Sequence, residues 1–194
     1  MPGMETSLKP TLWRTARALA NGDRLNLLYL VWTAKGGKGV GELAAEANLP
    51  APTASLYLRA LNARGLISVI RSGAHVYYGT APDRSLPAAM SLREAFRKLF
   101  ALGKLPARWT DRLLPILRAY SNPRRESIVR LLQTGRPMRY TEFRKRSGLC
   151  ETSFLRHLGI LTKAGVVVSS PDGVYSLAEP ENPLAAALLN ALFM

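Results

Sequence analysis

Leu49-Pro50-Ala51-Pro52-Thr53-Ala54-Ser55-Leu56-Tyr57-Leu58-Arg59-Ala60-Leu61-Asn62-Ala63-Arg64-Gly65 decides the fold, because it has a counterpart one hundred residues later. That counterpart is Leu149-Cys150-Glu151-Thr152-Ser153-Phe154-Leu155-Arg156-His157-Leu158-Gly159-Ile160-Leu161-Thr162-Lys163-Ala164-Gly165. In the first run Leu49-Pro50-Ala51 makes a turn and Pro52 suits the first position of a helix. Ala54, Tyr57, Leu58 and Leu61 then share one helical face, as do Phe154, His157, Leu158 and Leu161, at the spacing of a half-buried helix. Gly65 and Gly165 each suit a left-handed C-cap.

The likeness extends outward. Ala18, Asn21 and Arg24 meet Ala119, Asn122 and Arg125 at an offset of 101, and Glu42 meets Glu142 at 100. Val76, Tyr77 and Pro82 meet Val174, Tyr175 and Pro180 at 98, so the offset changes only where loops would change length. Identities are few, but they fall at caps, core positions and turns. Each copy reads in the same order. Asn21-Gly22-Asp23 caps a helix carrying Leu25, Leu28, Tyr29 and Trp32. A Gly/Lys loop, Lys35 to Gly39, leads to a short helix with Val40, Leu43 and Ala44. After the second helix, Ile67 to Arg71 and Val76 to Thr80 read as strands joined through Ser72-Gly73-Ala74-His75. The second copy offers Asn122-Pro123, then Ile128, Leu131 and Leu132, then Tyr140 and Phe143, and a hairpin of Val166 to Ser169 and Val174 to Leu177 around Pro171-Asp172-Gly173. Helix, short helix, turn, helix, hairpin is a helix-turn-helix with a wing. The expected fold is mainly α with small β-hairpin wings. Residues 8–82 form a first winged domain, 83–111 a helical connector, 112–180 a second winged domain and 181–194 a C-terminal apolar helix.

Composition fixes the partner class. The 194 residues hold 27 Lys+Arg against 13 Asp+Glu, a formal net charge of +14. An excess of this size points to a polyanion, nucleic acid before an anionic membrane. With 47% hydrophobic residues the chain can build a packed core. One cysteine excludes an internal disulfide framework and a Cys-cluster metal site, and two histidines leave little for a His-based centre. No cofactor and no metal are expected. The longest strongly apolar stretch, Leu184 to Met194, is too short to cross a bilayer. No secretory signal is visible, and a cytoplasmic protein is expected.

Ala18-Leu19-Ala20-Asn21-Gly22-Asp23-Arg24-Leu25, Gly41-Glu42-Leu43-Ala44, Leu58-Arg59-Ala60-Leu61-Asn62-Ala63-Arg64-Gly65-Leu66-Ile67 and Val76-Tyr77-Tyr78 resemble ArsR-like winged-helix transcriptional regulators. The second copy is similar through Ser121-Asn122-Pro123-Arg124-Arg125 and Ser153-Phe154-Leu155-Arg156-His157-Leu158. The resemblance covers most of the chain as two copies, where family members usually have one. It implies DNA binding, dimers and often an effector. Metal-sensing members carry Cys pairs in the short helix; here that helix reads Gly41-Glu42-Leu43-Ala44-Ala45-Glu46, which offers no support for a metal sensor.

In this motif the second helix enters the major groove with the face opposite its core stripe. In the second copy that face is Thr152, Arg156, Gly159 and Lys163, with Ser153 near its start. Arg156 suits a bidentate contact to guanine or phosphate, Thr152 a base or phosphate, and Lys163 a phosphate, while Gly159 permits close approach. Arg112 to Lys163 holds 12 basic and 3 acidic residues. Arg136, Arg139, Arg144, Lys145 and Arg146 lie before or within the short helix, which crosses the backbone in this motif. Charge runs are usually solvated faces, but these coincide with the motif's DNA side. In the first copy the face is Pro52, Leu56, Arg59 and Ala63, beside Thr53 and Ser55. Leu56 would meet a thymine methyl or another protein. Lys35 and Lys38 in the loop, and Arg71 and His75 at the wing, add charge there. The second copy is therefore expected to carry most of the sequence readout.

Other motifs carry less. Lys35-Gly36-Gly37-Lys38-Gly39-Val40-Gly41 lacks the Ser or Thr that a phosphate-binding P-loop needs after Gly-Lys, and it follows a helix. It reads as a mobile basic loop. Cys150, before the second helix among basic residues, reads as a small cap residue ahead of a redox switch. His75 and His157, a wing residue and a helix-edge residue in different copies, are not expected to share a site. No catalytic constellation stands out, so no enzyme is expected.

Between the copies, Ser91 to Glu94 has capping-box spacing, Leu92, Ala95, Phe96 and Leu99 form a stripe, and Pro106 precedes a helix over Trp109 to Tyr120. Pro183 to Met194 is a helix apolar nearly all round, which must be buried. In ArsR-like regulators flanking helices make the dimer seam. The copies would then pair within one chain as a pseudo-dimer, or two chains would form a homodimer; the apolar helix favours the homodimer. Three functions compete: a transcriptional regulator of double-stranded DNA with an unknown effector, a non-regulatory DNA binder of replication, plasmid-maintenance or chromatin type, and a protein-interaction scaffold.

Overall fold

The computed structural model describes residues 11–34, 36–73, 75–81, 87–101, 108–133 and 135–193. The readings placed on residues 8–10, Lys35, Ala74, Pro82, Pro106 and Met194, and the parts of the 83–111 connector at 83–86 and 102–107, lie outside the described residues. Ten helices and six short strands follow in the order α1 (Leu12–Leu19), α2 (Gly22–Thr33), β1 (Lys38–Gly39), α3 (Val40–Glu46), α4 (Ala51–Asn62), β2 (Ser68–Ser72), β3 (His75–Gly79), α5 (Pro87–Phe100), then α6 (Trp109–Tyr120), α7 (Pro123–Leu131), β4 (Met138–Arg139), α8 (Tyr140–Ser147), α9 (Glu151–Lys163), β5 (Val167–Ser169), β6 (Val174–Leu177) and α10 (Pro183–Phe193), among the described residues. The protein is mainly α with two small antiparallel sheets, ordered β1-β3-β2 and β4-β6-β5. The sequence of elements from α1 to α5 thus repeats from α6 to α10.

Local chemistry explains the shared order. Asn21 and Asn122 sit at equivalent N-caps, and each side-chain oxygen accepts from the backbone N–H of an arginine, Arg24 or Arg124, at 2.9 Å. Gly65 and Gly165 both have φ of +66, the left-handed conformation that glycine adopts without strain. There Leu66 N–H reaches back to Leu61 carbonyl at 3.2 Å and Val166 N–H to Leu161 carbonyl at 2.9 Å. These 6→1 bonds close α4 and α9 and turn the chain into the following strand.

Several expectations change. Each sheet has a third strand that the hairpin reading missed. Lys38-Gly39 is strand, not mobile loop: Lys38 is opposite Tyr78 and Gly39 opposite Tyr77. Helix α1 was not anticipated, although Leu12, Ala16 and Leu19 are buried at helical spacing. Ser91 and Glu94 lie inside α5, which begins at Pro87, so they form no capping box; Glu94 instead pairs with Arg97 at 2.7 Å. His157 is buried, not at the helix edge. Helix α10 buries one stripe, Leu184, Leu188 and Leu192, and leaves Asn190 exposed and its remaining apolar residues half-buried or exposed.

The core is continuous through both halves of the chain. Tyr29 and Trp32 of α2 meet Phe100 of α5 with ring centroids 5.3 and 6.1 Å apart, and Trp109 of α6 stands 5.7 Å from Phe100. Phe143 and Phe154 meet edge-to-face at 5.2 Å in the second half. Helices of equal rank in the two halves pack on each other: α1 on α6, and α5 on α10. The stripe of α10 is therefore covered within the chain. No described helix is long and apolar enough to cross a membrane.

Candidate functional site

Helices α4 and α9 present the outward faces expected of them. Each packs on the preceding short helix, α3 or α8. The turn between α8 and α9 passes through Gly148 at φ +66, and its counterpart between α3 and α4 through Asn48 at φ +54. Asparagine tolerates this left-handed region better than most residues. Cys150 is the N-cap of α9, exposed and without a side-chain cap bond.

On α9 the inward residues Phe154, His157, Leu158 and Leu161 are buried. On the other side Thr152, Arg156, Gly159 and Lys163 are all exposed. Nothing lies within 4 Å of where a Cβ would stand on Gly159, so the backbone there is open to close approach. Arg156 has no hydrogen bond or ion pair among the described residues. Ser153 is half-buried, and its Oγ is shut from solvent with no partner. Exposed Leu155 stands beside Arg156 and went unremarked in the sequence. On α8 and its approach, Arg136, Arg139 and Lys145 are exposed, Arg144 is half-buried, and Arg146 pairs with Glu142 at 2.8 Å.

On α4, Pro52, Leu56, Arg59 and Ala63 are exposed, and Thr53 and Ser55 are half-buried. Leu56 is 58% exposed, a large apolar side chain with no cover. Arg59 Nε donates to the Ser55 carbonyl at 3.4 Å, lying along its own helix. Arg71 and His75 are exposed near the tip of the β2–β3 hairpin, with Arg71 opposite Val76 and Ser72 opposite His75. Lys38 is committed elsewhere: its ammonium lies 2.5 Å from Glu46. That ion pair, with the strand pairing to Tyr78, fixes Lys38 where a free loop lysine was expected.

Behind α9, burial and the guanidinium groups of Arg125, Arg156 and Arg124 hold the His157 imidazole below its usual range, so it is neutral near pH 7. Arg125 is itself buried and donates to the carbonyls of Ala119 at 2.7 Å and Arg118 at 2.6 Å, tying α7 to the end of α6. Arg24 repeats this on the Arg17 carbonyl at 3.2 Å. These arginines count toward the basic total but serve the fold. No group of three or more His, Cys, Asp or Glu that could hold a metal occurs among the described residues.

The arrangement is thus two helix faces, equivalent in rank, of which the α9 face is the more cationic, with Glu151 in its first turn and Glu142 paired to Arg146 beside it. Guanidinium and ammonium groups so presented suit phosphate oxyanions and the acceptor edges of bases. One relative is an HTH-type transcriptional regulator of Mycobacterium tuberculosis, 40% identical over 70 residues. The match covers 36% of this chain and 30% of that protein, so the chain matches less than a third of the relative's length. No protein-family model matches the chain, and no solved structure matches it.

Proposed function

We propose that the chain is a sequence-specific double-stranded DNA-binding transcriptional regulator, built from two tandem winged helix-turn-helix units of ArsR-like type that pair within one chain. Helices α4 and α9 are its recognition helices, each placed in a major groove, and the hairpins β2–β3 and β5–β6 are its wings. The observation that carries this reading is the α9 face: Thr152, Arg156, Gly159 and Lys163 all exposed on a helix whose opposite side is core. The similarity to a transcriptional regulator supports the same conclusion. Two half-sites about one helical turn, roughly 34 Å, apart would suit a symmetric pairing of the units.

The units divide the work unequally. Arg156 and Thr152 give the second unit direct readout, with Lys163, Arg139, Arg144 and Lys145 on the flanking backbone. The first unit contributes Arg59, Thr53, Ser55 and, at its wing, Arg71 and His75. Exposed Leu56 favours a second reading for the first unit alone, a protein-docking face.

Genomic DNA fragments selected by the protein supply a defined duplex for affinity measurements. Affinity falls steeply with salt. Arg156→Ala weakens specific binding by about 1–3 kcal/mol and relaxes the preference at one base pair. Arg59→Ala has a smaller effect. A larger loss for Arg59→Ala than for Arg156→Ala overturns the division of labour, and no selective enrichment of any duplex overturns the function.

A further inference from the structure

Trp13, Arg14 and Arg17 of α1, Arg24 of α2, Ala60 of α4 and Ala63 and Arg64 just past its end line an open concavity of about 500 Å³. Four arginines converge there and no carboxylate lines it. Two acids lie near by: Asp23 acts on Arg24 from the same helix, and Glu126 of α7 feels the Trp13 backbone amide. The Arg14 and Arg17 guanidinium groups lie 5.1 and 5.7 Å from the Trp13 ring, and Arg24 lies 5.3 Å from the Tyr57 ring. Arg24 Nε is buried with no acceptor. Arg14 and Arg64 have no hydrogen bond from their guanidinium groups and no ion pair among the described residues.

The second half supplies a control. A concavity of about 260 Å³ at the equivalent place is lined by Pro115, Arg118, Ile160, Lys163 and Ala164. By the repeat, Arg118 matches Arg17, Ile160 matches Ala60 and Lys163 matches Ala63. Pro115 stands where Arg14 is, and Ala164 where Arg64 is. Arg24 and Arg125 are needed by the fold in both halves, because both bond the end of the preceding helix. Arg14 and Arg64 are not needed by it, since proline and alanine serve in the other half. Four cations with one carboxylate, Asp23, acting on one of them repel one another, and an anion among them removes that cost.

We infer that Arg14, Arg17, Arg24 and Arg64 form a phosphate-binding site, present in the first half and dismantled in the second. Arginine's planar fork matches phosphate oxygens bidentately, and Trp13 holds two of the forks in place. The shared chemistry is a phosphate oxyanion, supplied by a DNA backbone or by a free phosphorylated molecule. Ala63 belongs both to this concavity and to the outward face of α4, so a backbone running past that face would reach it.

The test uses the full chain and the variant Arg14→Gln/Arg64→Gln, which spares the fold-bearing Arg24. Circular dichroism establishes that the variant folds. In one arm, melting is followed against pyrophosphate at matched ionic strength. A free-ligand site raises the wild-type midpoint by about 4 °C at tenfold the dissociation constant, and the variant loses the rise. In the other arm, the salt dependence of binding to a defined duplex is measured. A backbone contact lowers the logarithmic slope by about 2 in the variant. Either result supports the site and names its source. If neither pyrophosphate response nor salt slope differs between wild type and variant, the inference is overturned. The pyrophosphate arm needs no DNA, so it separates failure of this site from failure of the DNA-binding proposal.

Discussion

Glu126 shows how a single side chain couples the two halves. It belongs to α7, yet the backbone amide of Trp13 at the start of α1 acts on its carboxyl group. Burial raises its pKa to about 7, against the opposing pull of Arg130 and of that N–H. One of its oxygens is shut from solvent with no partner, as a protonated acid tolerates better than a carboxylate. The unfolded chain releases this proton near the ordinary glutamate range, while the folded chain keeps it to about pH 7. The stability it contributes is therefore full below that ordinary range and is lost as pH rises through about 7. His157 acts with the opposite sign, because its lowered pKa contributes stability that is lost on acidification. Comparing wild type with Glu126→Gln isolates the first effect. The variant gains stability relative to wild type between pH 5 and pH 8, read as melting midpoint at each pH. A wild-type minus variant difference that stays constant over that range refutes the assignment.

At the scale of elements, α5 differs from its counterpart α10 in one buried cation. Arg93 of α5 donates to the carbonyls of Gly65 at 3.3 Å and Leu66 at 3.0 Å, and to that of Thr80. Its guanidinium stands 5.0 Å from the Trp32 ring, and Trp32 Nε1 shares the Leu66 carbonyl at 3.3 Å. One side chain thus clamps the end of α4, the end of β3 and helix α2. Helix α10 contains no charged residue and makes no such clamp. Arg93→Met keeps much of the apolar stem but strips the Gly65 and Thr80 carbonyls of this donor and leaves the Leu66 carbonyl to Trp32 alone. It costs about 2–4 kcal/mol in urea unfolding, and a loss below about 1 kcal/mol rejects the clamp. Little of this was legible in the sequence. Arg93 is two residues from the Ser91 that carried capping-box spacing, and local spacing cannot tell an N-cap from a helix interior when the true start lies four residues earlier. The capping asparagines, Gly65, Gly165 and the stripes of α4 and α9 were legible, because each rests on bonds or burial within a few residues. Strands β1 and β4 were not, since two residues carry no periodicity and their pairing to β3 and β6 is long-range. Of the candidate site, the exposed α9 face followed from the 3.6-residue period alone. The ion pair of Lys38 and the convergence of Arg14 with Arg64 did not, since both need the packing of separate helices.

For the whole molecule, the repeat turns a question about oligomers into one about a single chain. Two halves with the same order of elements carry apolar helices of equal rank, and the cheapest burial is against each other. Contacts of α1 with α6 and of α5 with α10 follow that logic. Leu184, Leu188 and Leu192 are each at most 2% exposed with one chain present, so a second chain adds nothing to their burial. The sequence favoured a homodimer because it could measure the apolarity of α10 but not the distance from α10 to α5. Intrachain pairing leads us to expect a wild-type mass of one chain by light scattering. Leu188→Asp places an unpaired carboxylate in the seam and lowers the melting midpoint by about 10 °C without changing the mass. The rival arrangement gives the reverse pattern. A wild-type mass of two chains that falls to one in a folded Leu188→Asp variant would show that α10 joins chains, and a single chain would then carry only half of the proposed pairing.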